Sequence, residues 1–153
     1  MKIRAASAAD GTRLHEILTC AYEHYVERIG FHPPPMDADY TGAITEGRVF
    51  VAEAEGVVVG LVVVRAEDDH LLIENVAVWP GHQGSGVGGA LLEHAERHAA
   101  ALELPELRLF THVAMSENQA FYARRGYRET GRHGNGRGIE RVFFAKRVAV
   151  DRG

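Results

Sequence analysis

Gln83-Gly84-Ser85-Gly86-Val87-Gly88-Gly89 is a glycine-rich turn set between an apolar run at 71–78 and an amphipathic stretch at 90–102. Strand, glycine turn, helix is an arrangement in which a backbone can cradle an anion. Glycine lets the main chain approach a ligand closely, successive N–H groups point at it, and the N-terminus of the following helix carries partial positive charge. The stretch predicts an α/β fold that holds a phosphate-bearing cofactor.

Two phosphate-binding motifs can be set against it. A nucleoside-triphosphate loop needs Lys and then Ser or Thr after its last glycine, whereas Gly81, four residues and Gly86 are followed here by Val87-Gly88. That reading fails. Gly84, Gly86 and Gly89 do match the G-x-G-x-x-G spacing of a dinucleotide fingerprint. Its context is missing: the next strand, 106–110, runs out at Thr111-His112 with no acid to hold a ribose. Roughly sixty residues follow the turn, about half of a typical six-stranded dinucleotide domain.

A third reading rests on two segments. Gln83-x-x-Gly86-x-Gly88 follows a strand ending Asn75-Val76-Ala77-Val78-Trp79-Pro80, and Asn118-Gln119-Ala120-Phe121-Tyr122 precedes Gly126-Tyr127. The first resembles the acyl-CoA pyrophosphate loop of the GNAT acetyltransferase family. The second is similar to that family's other cofactor motif, an Asn and a Tyr on a short helix ending at a Gly and an aromatic residue. The resemblance implies a mostly antiparallel sheet of six or seven strands, helices on both faces, and a cofactor cleft between two central strands. It implies an acetyl-CoA-dependent N-acetyltransferase in which an amine attacks directly within a ternary complex. The alternative is a GNAT-like domain that binds or senses acyl-CoA without turnover.

The resemblance also assigns residues. Glu74 takes the place of a general base, working often through water; it could equally be a structural carboxylate or bind the acceptor's ammonium. Tyr122 takes the place of the acid that protonates the leaving thiolate, and its phenol holds a proton at pH 7. Alternation along a strand puts Glu74 and Val76 on one face and Asn75 on the other. A backbone N–H, expected at Val76, meets the developing oxyanion, Ala77 lies between, and Val78 pairs the pantetheine arm. The diphosphate lies on Gln83, Gly84, Ser85, Gly86, Val87, Gly88 and Gly89. Asn118, one helical turn before Tyr122, holds a pantetheine amide or the loop, or serves only as a helix cap. The family often has Lys or Arg where Ser85 stands, which leaves charge neutralisation to the backbone and to Arg124 or Arg125.

The rest of the chain is consistent with one globular domain, 1–153. It has 153 residues, 46% hydrophobic and 25% charged, enough to bury its own core. A net charge of −4 argues against a nucleic-acid partner. No run nears the roughly 20 apolar residues that span a bilayer, and the start, Met1-Lys2-Ile3-Arg4, has no signal-like segment, so a cytoplasmic protein is expected. Cys20, the one cysteine, reads as a packed thiol. His94 and His98 stand four apart, but Ala95 replaces the Glu of a zinc-protease pair and no third ligand is evident, so no metal is expected.

Periodicity predicts a strand at 3–5 and a helix at 8–29 with Leu14, Ile17, Leu18, Ala21, Tyr25 and Ile29 inward and Ser7 and Asp10 in a capping box. A hairpin at 48–54 and 57–65 turns on Glu55-Gly56. A short helix at 37–46, a helix at 116–125 and strands near 128–130 and 140–147 complete the pattern, with 133–138 low in order. The proline-rich segment from Phe31 to Tyr40 is expected either to wall the acceptor site or to be a rigid linker. The acceptor is expected to be a small-molecule or peptide amine, His112 is a candidate to approach it, and homodimerisation through sheet edges is the one partnership expected with a second copy.

Overall fold

The protein, as a computed structural model, is described over residues 1–29, 40–113, 115–134 and 140–148. The chain runs β1 (Lys2–Ala5), α1 (Gly11–Ile29), α2 (Thr41–Thr45), β2 (Val49–Ala54), β3 (Val57–Ala66), β4 (Leu71–Val78), α3 (Val87–Ala101), β5 (Glu106–His112), α4 (Ser116–Arg124), β6 (Arg128–Gly134) and β7 (Glu140–Arg147). The strands form one sheet in the order β1-β2-β3-β4-β5-β7-β6. Every neighbouring pair is antiparallel except β4 and β5. This is the mixed, mostly antiparallel sheet that the family resemblance implies.

Burial explains the strand patterns. Central β3 is apolar almost throughout because helices cover both of its faces, and seven of its residues in a row are buried. One apolar layer joins α3 to the sheet through Leu91, Leu92, Ala95 and Ala99 against Val62, Val64, Ile73, Leu107 and Leu109. The other sets Leu14, Ile17, Leu18 and Tyr22 of α1 against Val49, Val51, Leu61, Val63 and Ala77. The predicted inward positions of α1 are thus filled as far as Ala21; the side chains of Tyr25 and Ile29 lie outside the described residues. Arg13 fastens α1 further, donating to the Val58 carbonyl at 2.9 Å and lying 4.3 Å from the Trp79 ring.

The local signals hold with small shifts. Glu55 and Gly56 turn the β2–β3 hairpin with φ of 53° and 79°, the mirror-image geometry that matches strand twist. Residues 8–10 form a 3-10 turn ahead of α1, and the capping box of Ser7 and Asp10 is present there, with the Ser7 N–H donating to Asp10 at 2.8 Å. Strand β6 continues to Gly134, past the expected end and into the stretch read as low in order. The expectations for 30–39 and 135–138 lie outside the described residues.

Candidate functional site

The site begins where the sheet comes apart. Strands β4 and β5 pair only at Leu71 with Leu107 and Leu72 with Arg108. Beyond them β4 carries an extra residue: Val63 pairs Asn75 and Val64 pairs Ile73, which leaves Glu74 as a β-bulge. A bulge bends its strand and sharpens its twist, which accompanies the separation of β4 from β5. From Ile73 to Val78, the β4 backbone has no ladder partner on the β5 side. The gap opens into a cleft of about 490 Å³. Val76, Ala77 and Val78, Gln83, Gly84, Gly86 and Gly88, and Asn118 and Tyr122 all line it, joined by Phe121, Arg124 and Arg125 and by Ala21 and Tyr22 of α1. Nine of the predicted site residues are therefore together; Glu74, Ser85, Val87 and Gly89 are not among the lining.

The turn is shaped to receive negative charge. Gly84 and Gly86 have φ of 84° and 89°, a region that side-chain-bearing residues rarely adopt. Inside α3 the first backbone bond runs from Ala90 N–H to the Gly86 carbonyl at 3.0 Å. Among the described residues, no backbone carbonyl receives the N–H of Gly84, Gly86, Val87, Gly88 or Gly89, and no side chain caps α3. The Ser85 hydroxyl donates instead to the His82 carbonyl. The positive end of a 15-residue helix therefore faces the cleft without a partner among the described residues. Gly88 and Gly89 contribute by packing: a Cβ on Gly88 would stand 2.9 Å from Phe121 Cζ, and one on Gly89 would stand 3.2 Å from Arg125 Nε. Their small size seats α4 against the turn. Arg125 stacks 3.8 Å from the Phe121 ring and donates to its carbonyl at 3.2 Å, holding a cation at the rim. Unclaimed N–H groups, room at the left-handed glycines and two rim arginines fit a diphosphate.

Tyr122 projects from α4 into the same cleft. Its ring is buried against Phe121, Tyr127 and Phe144 at 5.4–5.9 Å between centroids, which fixes it. Asn118 Nδ2 lies 3.6 Å from Met115 Sδ, and Met115 rather than Asn118 is the residue at the α4 N-cap position. The Gln83 amide reaches the Val78 carbonyl at 3.5 Å and spans the root of the turn.

On the α1 side the expected alternation fails. Because of the bulge, the Glu74 carboxylate turns to Arg65 at 2.8 Å and Arg48 at 3.3 Å, and it does not share a face with Val76. Asn75, 5% exposed, points into the α1 layer and accepts a 2.5 Å hydrogen bond from the Tyr22 hydroxyl. Asn75 Nδ2 lies 3.4 Å from the Tyr40 hydroxyl, and burial, with a smaller contribution from the nearby Glu74 charge, raises the Tyr40 pKa. Sequence reasoning missed Tyr22. Its signal was its place four residues after Leu18, facing a strand in which Glu74 and Asn75 interrupt an apolar run.

His94 and His98 pack on Phe50, with ring centroids at 4.5 and 5.2 Å, and burial lowers both pKa values. No cluster of three or more metal-ligating side chains occurs among the described residues. Nor is any described helix long and apolar enough to cross a membrane.

A family model described as acetyltransferase (GNAT) domain matches residues 45–129, from the end of α2 into β6. The chain belongs to this family. The match contains both halves of the cleft, the glycine turn and the Asn118–Tyr122 helix. No curated protein sequence matches the chain. Among solved structures the GNAT chain is similar to the PaiA N-acetyltransferase from Thermoplasma acidophilum in complex with coenzyme A (17% identity, 95% of this chain and 98% of that one, TM-score 0.83). It is also similar to the ribosomal-protein-S18-alanine N-acetyltransferase from Escherichia coli (20%, 98% and 95%, 0.76). A third likeness is to a GNAT family acetyltransferase from Elizabethkingia anophelis with acetyl-CoA bound (20%, 96% and 97%, 0.72). At these identities the likeness is one of fold.

Proposed function

We propose that this single domain is an acetyl-CoA-dependent N-acetyltransferase in which a primary amine attacks directly, with no covalent enzyme intermediate. The observation that carries the reading is the open β4 edge leading to an uncapped α3 N-terminus, with Tyr122 in the same cleft. Acetyl-CoA, when bound, supplies an acyl group activated as a thioester. The chain's part is to bind, orient and move protons.

The N–H groups of residues 84–89, with Arg124 and Arg125, hold the diphosphate. The β4 backbone at Val76, Ala77 and Val78, which has no partner on the β5 side, would hold the pantetheine amides, and an N–H at Val76 would meet the charge that develops on the carbonyl oxygen. Asn118 adds a side-chain amide on the opposite wall. Tyr122 keeps its phenolic proton at the cleft for the departing thiolate.

The acceptor presents the opposite problem. An amine of pKa about 10.4 is mostly ammonium at pH 7, and reaching the neutral form costs roughly 4.6 kcal/mol at 1.36 kcal/mol per unit. Glu74 is the proposed proton acceptor, working through water because it does not line the cleft. A second reading follows from its ion pairs with Arg48 and Arg65: Glu74 ties β4 to β3 and to the start of β2 and fixes the bulge. Thiol release from acetyl-CoA over a pH series, with wild type and Glu74→Gln, separates the two. A base leaves a pH-dependent deficit that higher pH partly repairs; a structural tie leaves a deficit independent of pH.

A further inference from the structure

Among the described residues, the α1 layer covers only half of its side of the sheet. Helix α1 packs on β3 and β4, and past the gap the same face continues over β5, β7 and β6. There the register sets Phe110 opposite Phe143 and His112 opposite Arg141, with His133 on the far side of Arg141. Phe110 is 44% exposed, an unusual position for a phenylalanine in mid-strand. Its ring lies 5.5 Å from Phe143, whose other neighbour is the edge-on ring of His133 at 5.3 Å. The Arg141 guanidinium stands 4.8 Å from the Phe110 ring and forms no ion pair among the described residues. The face has a charge asymmetry. Among the described residues, Asp69 in the turn before β4 and Glu106 at the start of β5 are engaged with Arg108 and Arg128, while the residues Phe110, His112, Arg141, Phe143 and His133 at the other end include no acid.

We propose that this aromatic shelf, which begins on β5 at the border of the β4–β5 gap, is the acceptor platform, and that it selects a primary amine carrying an apolar or aromatic body and a carboxylate, which Arg141 receives. The proposal rests on the acetyltransferase reading of the cleft. Charge complementarity names the occupant: a guanidinium over a ring offers a planar fork of donors that matches a carboxylate, and the two phenylalanines offer the apolar surface beside it. An acceptor that is only a polycation would place like charge against Arg141.

The test is binding to the full chain saturated with coenzyme A, followed by calorimetry, using phenylalanine and tryptophan against phenylalaninamide and tryptophanamide. The acids should bind about tenfold or more tightly than their amides, a difference that Arg141→Gln removes and Arg141→Lys partly keeps. Phe110→Ser should weaken acid and amide alike. Thermal unfolding of each variant checks that the strand is intact. Equal binding of acids and amides, no binding by either acid, or a difference untouched by Arg141→Gln overturns the proposal. Parallel thiol release from acetyl-CoA separates the two readings. Acids that bind without release leave the shelf standing and remove the enzyme, while turnover confined to neutral or polycationic amines keeps the enzyme and removes the shelf.

Discussion

The two sides of the β4–β5 gap are made of different material. On the α3 side the functional groups are backbone: N–H groups of a glycine turn, an uncapped helix end and an unpaired strand edge. On the α1 side they are side chains: Tyr22, Asn75 and Tyr40 in one hydrogen-bonded run, and Glu74 clamped by Arg48 and Arg65. A backbone site is indifferent to most side-chain chemistry but intolerant of a Cβ where φ is positive. A side-chain site is set by register, and one extra residue at Glu74 redirects its carboxylate.

The largest effect expected from breaking either side is at the residue between them. Tyr122→Phe should lower kcat about 100- to 1,000-fold by removing the proton donor while leaving coenzyme A affinity within about twofold. Steady-state kinetics and calorimetry check this, and equal rates in the two proteins would remove Tyr122 as the acid. Next, Gly86→Val forces a branched residue to φ near 89°, at about 1–3 kcal/mol of strain, and should weaken coenzyme A binding about tenfold or more. The same substitution at Ser85, whose side chain faces His82, should do much less; equal losses at the two positions would contradict a cradle made of backbone.

Away from the cleft, smaller effects sharpen the contrast between paired and unpaired polar groups. Asp10 is held at a pKa of about 2, chiefly by the Arg4 guanidinium and further by the Ser7 N–H. Since the folded value lies below the unfolded one of about 3.9, its stabilisation is present above pH 4 and is lost as pH falls toward 2. Urea unfolding at pH 5, 3.5 and 2.5 should show a decline that Asp10→Asn flattens. Tyr127 is the reverse case, a buried hydroxyl with no hydrogen-bond partner among the described residues. Tyr127→Phe should leave stability unchanged within about 0.5 kcal/mol or raise it, since no hydrogen bond is lost. A loss above about 1 kcal/mol would show that water or cofactor satisfies the hydroxyl.

What could be read in advance divides along the same line. Gln83 to Gly89 betrayed a backbone site because glycine spacing is itself the record of where a chain must turn and approach a ligand. Asn118 and Tyr122 were legible because residues four apart on a helix share a face whatever surrounds them. The Glu74 side was not, because strand alternation assumes an unbroken ladder and nothing in Leu71–Val78 announces a bulge. Tyr22 stood in plain view on an amphipathic helix, but its role depends on Asn75 being turned toward it by that same bulge. Gly88 and Gly89 were read as anion contacts, yet the absence of their side chains also serves the packing of Phe121 and Arg125.

The account's central claim is that the cleft holds acetyl-CoA and delivers its acetyl group to an amine. Thiol release from acetyl-CoA should be followed against a panel of amino acids, their amides, peptides and aminoglycosides, with wild type and Tyr122→Phe side by side and coenzyme A binding measured on both. The account predicts acceptor-dependent release by wild type, its near loss in Tyr122→Phe, and the same coenzyme A affinity in each. Release that is independent of acceptor, or a wild-type chain that does not bind coenzyme A, would contradict it.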